Sequence, residues 1–112
     1  MLALYGHPFS SYTWKALIAL YANDIPFEFR MVDADHPENA EFVRSAGPLG
    51  KFPVLRDGET AIFEATSIVE YLARHHGGGG VLLPDDPDAA LGMRMLDRVF
   101  DNYVMNLMQP VV

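Results

Sequence analysis

Four hydroxyl or phenol groups crowd into one short stretch of the chain, "FSSYT", where Ser10, Ser11, Tyr12 and Thr13 open a segment of helical apolar spacing. Hydroxyls at that place either cap the free N–H groups of the helix or, helped by the helix dipole, stabilise an anion brought against them. A second stretch, "GKFPVLRDG" (Gly50 to Gly58), sets Pro53 at what reads as a β-strand. Proline cannot donate to a sheet ladder, so it belongs at an edge, a strand start or a turn, with its peptide bond trans or cis. Lys51, two residues earlier, either protects a sheet edge or meets an anion. A third stretch, "FEATS", places Glu64 at the start of another helix, where the dipole favours a carboxylate.

Other chemistries are excluded. The chain has no cysteine, which removes thiolate nucleophiles, disulfides, iron–sulfur clusters and cysteine-based zinc sites. His7, His36, His75 and His76 show no metal-ligand spacing with carboxylates on one helix face, so no metal is expected. A formal net charge of −7 argues against nucleic acid, which requires basic stripes to neutralise phosphates. The carboxylates are scattered, and a solvated acidic surface accounts for them. No window approaches the ~20 apolar residues of a membrane span, and the start "MLALYGHPF" lacks a basic leader, which points to the cytoplasm.

The elements that must position these groups follow from patterning. With 112 residues, half of them hydrophobic, the chain is long enough for one packed domain. "LALY" reads as a strand buried on both faces. "SYTWKALIALYAND" has apolar residues at Trp14, Leu17, Ile18 and Tyr21, a helical spacing, with Ser10 or Ser11 as cap and core or interface packing expected for Trp14. "IPFEFRMV" alternates as a second strand. "HPENAEFVRSAG" is a short helix ending near Gly47. Two strands flank Asp57-Gly58, a strong hairpin signal. "ATSIVEYLARHHG" is amphipathic with Ile68, Val69, Tyr71 and Leu72 inward, and Thr66 or Ser67 is the expected cap. Gly77 to Gly80 opens a connector, and an apolar-rich helix runs from about Asp88 to Gln109, stopped by Pro110. The expected class is α/β. A parallel strand–helix–strand unit, a helix and a hairpin form one mixed sheet with helices on both faces.

That order, with a proline at the start of the third strand, resembles the thioredoxin-like fold. Finer motifs resemble the N-terminal domain of cytosolic glutathione S-transferases of the serine type. "LYGHPFSSYTWKALIAL" resembles that family's first strand, active-site loop and first helix. "GPLGKFPVL" resembles its "NPxGKVPxL" stretch before a cis-proline, and "DGETAIFEATSIVEYL" its hairpin and third helix. "LLPDDPDAALGMRMLDRV" resembles the linker and the first helix of a second, all-helical domain. The resemblance divides the chain into a glutathione-binding unit over residues 1–77, a linker over 78–87, and over 88–112 the truncated beginning of the second domain.

The resemblance also implies site residues. Ser10 aligns with the first cysteine of the thioredoxin-fold C-x-x-C and is expected to donate a hydrogen bond to the glutathione sulfur, with Ser11 and Tyr12 as rivals. Phe52, ahead of a cis Pro53, is expected to pair through its backbone with the cysteinyl residue. Lys51 meets the glycyl carboxylate, and Glu64 the γ-glutamyl ammonium. The γ-glutamyl carboxylate is received at the helix start by Ala65 and Thr66. Ala65 stands where the family has serine, so one hydrogen bond is missing unless Thr66 supplies it. Arg44 and Lys15 are weaker candidates. The implied function is glutathione transfer to a small electrophile, with glutathione as co-substrate and a homodimer as the assembly. A non-catalytic association module and a glutathione-dependent isomerase of the zeta type are the alternatives. Tyr12 replaces the cysteine in the zeta class's "SSCSW", which counts against the last.

Overall fold

A computed structural model describes residues 1–76, 86–99 and 101–102. The elements run β1 (Leu2–Gly6), α1 (Ser11–Ala22), β2 (Phe27–Met31), α2 (Pro37–Ala46), β3 (Val54–Asp57), β4 (Thr60–Phe63), α3 (Ala65–His75) and α4 (Pro87–Val99). They form a four-stranded sheet in the order β2-β1-β3-β4. The β1–β2 pair is parallel, while β3 runs antiparallel to β1 and to β4. The expected connector at Gly77–Gly80 and the stretch toward Pro110 lie outside the described residues. Among the described residues, no helix is long and apolar enough to cross a membrane.

Side-chain alternation along β1 builds two cores. Leu2 and Leu4 point into a layer with Leu20, Leu55, Ile68 and Leu72, between the sheet and helices α1 and α3. Ala3 and Tyr5 point to the opposite face, where they meet Val43 and Val54 beneath α2. Every residue of β1 is buried, which is why the strand reads as a continuous apolar run. On the α2 face, Tyr5 and Phe42 stack at 4.4 Å. Arg30 lies over the Tyr5 ring and Arg56 over Phe42. Asn39 fastens α2 to β2 by donating from Nδ2 to the Met31 carbonyl at 2.8 Å.

Three local expectations are corrected. First, α1 buries Thr13, Ala16, Ala19 and Leu20, whereas Trp14, Ile18 and Tyr21 are 57%, 63% and 68% exposed. Helix α1 lies closest to α3, with its small residues facing inward and its large ones outward. Second, Asp57 pairs with Thr60, which makes the hairpin turn Gly58-Glu59. Gly58, at φ +61°, fills the first central position, where a type II′ turn requires positive φ. Third, α3 begins at Ala65 with Glu64 as N-cap residue and no side-chain cap, so Thr66 and Ser67 already lie in its first turn. Helix α4 buries Ala90 and leaves Leu91, Met93, Met95, Leu96 and Val99 exposed. Polar groups join it to the rest of the fold, among them Arg94, whose Nε donates to Glu70 Oε1 at 2.7 Å.

At the far end of α3, the Asp57 carboxylate accepts from the Tyr71 hydroxyl at 2.7 Å and from His76 Nε2 at 3.0 Å. The Tyr71 bond, then the His76 bond, holds the Asp57 carboxyl below the usual range, and Asp57 in turn raises the Tyr71 phenol. A carboxylate with a depressed native pKa adds stability above its unfolded pKa, and that stability is lost as pH falls through the native value. The stability gap between wild type and Tyr71→Phe is therefore expected to be full at neutral pH. It should close in acid below the ordinary Asp pKa of about 3.9, as urea melts over a pH series will show. In the core, Leu72 is fully buried, and Leu72→Ala is expected to cost about 2–5 kcal/mol in the same melts.

Candidate functional site

The loop between β1 and α1 is held by its own backbone. Gly6 packs so tightly on Thr13 that an added Cβ would sit 2.5 Å from Thr13 Cγ2. The Ser10 N–H donates to the His7 carbonyl at 3.0 Å, and the Phe9 N–H donates to His7 Nδ1 at 3.1 Å. The loop thus delivers Ser10 to the N-cap of α1, where Oγ accepts from the Thr13 N–H at 3.2 Å. That bond uses a lone pair and leaves the hydroxyl proton to donate elsewhere. Ser11 is the first residue of α1.

On the neighbouring side a cavity of about 260 Å³ opens among four segments. Tyr12 lines it from α1. Gly47 and Leu49 through Pro53 line it from the connection between α2 and β3. Phe63, Glu64 and Ala65 come from the β4–α3 junction, and Arg98, Asp101 and Asn102 from α4 and the turn beyond it. The Phe52–Pro53 peptide bond is cis, and the β3 ladder begins one residue later at Val54, so the Phe52 backbone stands outside the sheet. Lys51 is exposed at the rim.

The β4–α3 junction has one residue, Glu64, between Phe63 and Ala65. It adopts φ +74° and ψ 125°, a conformation that costs a non-glycine residue about 1–3 kcal/mol and that clusters at functional sites. The first helical bond runs from the Ile68 N–H to the Glu64 carbonyl at 3.0 Å. The N–H groups of Ala65, Thr66 and Ser67 consequently have no partner within the helix, and the helix start faces the cavity with its positive dipole end.

The cavity gathers Lys51, Phe52, Pro53, Glu64 and Ala65 of the residues expected from the sequence; Ser10, Ser11 and Thr66 are not among its lining residues. The Thr66 hydroxyl is taken up toward α4, bonded with Asp97, Asp101 and Arg98 and with Lys15 of α1, and so does not replace the serine missing at position 65. Arg44 pairs with Glu41 on the surface of α2. Tyr12 donates its hydroxyl proton to the Asp101 carbonyl at 2.8 Å. Its phenol is pushed up by burial and then by the Asp101 and Glu64 charges.

Arg98, Asp101 and Asn102 are the residues that sequence reasoning missed. Their helix was read for its apolar side chains, and the signal was the four-residue spacing of Asp97 and Asp101 around Arg98. Asp101 is the most unusual of them. Its side chain is 6% exposed, and Oδ1 is buried without a hydrogen-bond partner among the described residues. No cluster of three or more metal-ligating side chains forms among the described residues.

Comparison with known proteins agrees with this geometry. The family model for the glutathione S-transferase N-terminal domain matches residues 4–80. Glutathione S-transferase F6 of Arabidopsis thaliana is 33% identical over 107 residues, covering 89% of this chain and 50% of that protein. The chain thus spans about half the length of the curated relatives it matches. A delta-class glutathione transferase of Nilaparvata lugens superposes with a TM-score of 0.80 at 23% identity, over 91% of this chain and 48% of that one. A glutathione transferase homologue from Sulfitobacter, solved with bound glutathione, gives a TM-score of 0.74 at 25% identity, over 91% of this chain and 49% of its own. The chain belongs to the glutathione S-transferase family, and it carries that family's thioredoxin-like N-terminal domain.

Proposed function

We propose that the chain binds glutathione in the cavity between Lys51 and α4 and stabilises its thiolate for transfer to a small electrophile. The observation that carries this reading is the convergence of groups on one cavity. A helix start with free N–H groups, Glu64, Asp101 and the Phe52 backbone all border it. Their chemistry complements a peptide with an ammonium and a carboxylate at one end, an amide in the middle and a second carboxylate at the other.

Each group has a role. The N–H groups at the start of α3 receive the γ-glutamyl carboxylate. Glu64 and Asp101 take the ammonium. The Phe52 backbone pairs with the cysteinyl residue as an added strand would, and Lys51 meets the glycyl carboxylate. Ser10 is the thiolate donor, because its capping bond leaves its proton free, whereas the Tyr12 proton is committed to Asp101. A hydroxyl donor at a helix N-terminus favours the anion through a charge-assisted bond and the dipole. Ser10 is not the nucleophile; the glutathione sulfur is.

Ser10→Ala is expected to leave glutathione affinity within about threefold and to raise the bound thiol's pKa by roughly one to two units. Calorimetry and thiolate absorbance across a pH series will read the two effects separately, and absence of binding heat with the wild-type chain at millimolar glutathione would refute the reading. Ala65→Ser restores a donor at the helix start. It should tighten glutathione by about 0.5–1.5 kcal/mol, or roughly two- to twelvefold in Kd by calorimetry.

A further inference from the structure

Packing holds little of the loop that delivers Ser10: Pro8 and Phe9 are both exposed, Phe9 to 76%. The shape of the loop rests on polar bonds, and two of them come from side chains. His7 Nδ1 accepts from the Phe9 N–H at 3.1 Å. Trp14 Nε1, in the first turn of α1, donates to the Pro8 carbonyl. The His7 main chain adds two more, since its carbonyl takes the Ser10 N–H at 3.0 Å and its N–H donates to Thr13 Oγ1 at 3.4 Å. A ring nitrogen that accepts carries no proton, so the neutral His7 ring bears its proton on Nε2. That ring stands 5.2 Å from the Phe9 ring and 6.4 Å from the Phe52 ring, between centroids. Phe52 lines the cavity, so the same imidazole sets the loop beside that wall.

We propose that His7 and Trp14 are positioning residues for Ser10: their side-chain bonds to the backbone of residues 8 and 9 fix the loop, and with it the hydroxyl that serves the glutathione sulfur. The inference rests on the thiolate-donor role given to Ser10 above. A hydroxyl stabilises an anion fully only when its distance and angle are set before the anion forms. A donor carried on an unrestrained loop spends part of that stabilisation on ordering the loop. The capping bond from Ser10 Oγ to the Thr13 N–H fixes one end of the loop, and the bonds to Pro8 and Phe9 fix the rest. This role also accounts for an indole left 57% exposed on the outward side of α1. Burial does not explain Trp14 there, and the single polar group of its ring is spent on the loop. Neither His7 nor Trp14 lines the cavity, so each acts through Ser10 and not on glutathione directly.

Thiolate absorbance of bound glutathione across a pH series, with calorimetry for affinity, tests this on the intact chain through double-mutant cycles with Ser10→Ala. His7→Leu removes the acceptor, and Trp14→Phe keeps an aromatic ring and removes the N–H. Each is expected to raise the bound thiol's pKa by about half a unit to one unit, while glutathione affinity stays within about threefold. In the Ser10→Ala background neither should raise it further. His7→Asn places Oδ1 near the position of Nδ1, accepts without needing to lose a proton, and should recover more than half of the change seen in His7→Leu. Trp14→Phe leaves a test if His7→Leu fails to fold. No change in either variant, a change of equal size with and without Ser10, or no recovery in His7→Asn overturns the positioning role and leaves glutathione binding standing. A wild-type chain that binds no glutathione, or a Ser10→Ala variant whose bound thiol keeps the wild-type pKa, overturns the reading above and this inference with it.

Discussion

One residue joins β4 to α3, and that constraint organises the site. With only Glu64 between the last strand and the helix, the chain must turn within a single peptide unit, and Glu64 takes a left-handed φ to do so. The turn brings the free N–H groups of α3 to the cavity wall and leaves the Glu64 carboxylate beside them. It also puts Thr66 in the first turn, close enough to α4 for its hydroxyl to meet Asp97, Asp101 and Arg98. A longer connection would relieve the backbone and lose all three placements. Strain of this kind persists where the surrounding packing over-determines it, and Ala65, Ile68 and Leu72 of α3 are buried against the rest of the fold.

Much of the architecture was legible because burial on two faces leaves a plain mark. The apolar run of β1, the two strands around Gly58 and the order of elements all follow from residue types. The hairpin turn was misplaced by one residue because Asp-Gly and Gly-Glu are both acceptable two-residue turns, and only the pairing of Asp57 with Thr60 decides between them. The face of α1 was misread for a physical reason. Periodicity weights large side chains, but the face of α1 that is buried beside α3 is built from Thr13, Ala16, Ala19 and Leu20, and Trp14, Ile18 and Tyr21 were left outside.

At the site, the stretches around Lys51–Pro53 and Glu64–Ala65 were legible from the resemblance, and the structure brings them to one cavity. The contribution of α4 was not. Asp97, Arg98 and Asp101 look like ordinary solvent-facing charges on a helix, and nothing in the local pattern tells that Lys15, more than eighty positions earlier, sits among them. Thr66 was read as a cap or a ligand donor because its hydroxyl is near a helix start; the neighbours that claim it come from other helices. Long-range polar contacts of this kind leave no periodic trace in sequence.

Helix α1 bears Ser10 at its capped end and Lys15 about five residues on, roughly 7.5 Å along the axis. Both belong to a single helix whose buried face, Ala16 and Ala19 included, packs beside α3. A tilt or slide of that helix displaces the Ser10 hydroxyl and the Lys15 ammonium in concert, so the two corners of the molecule are mechanically geared and neither can be retuned by moving the helix without disturbing the other.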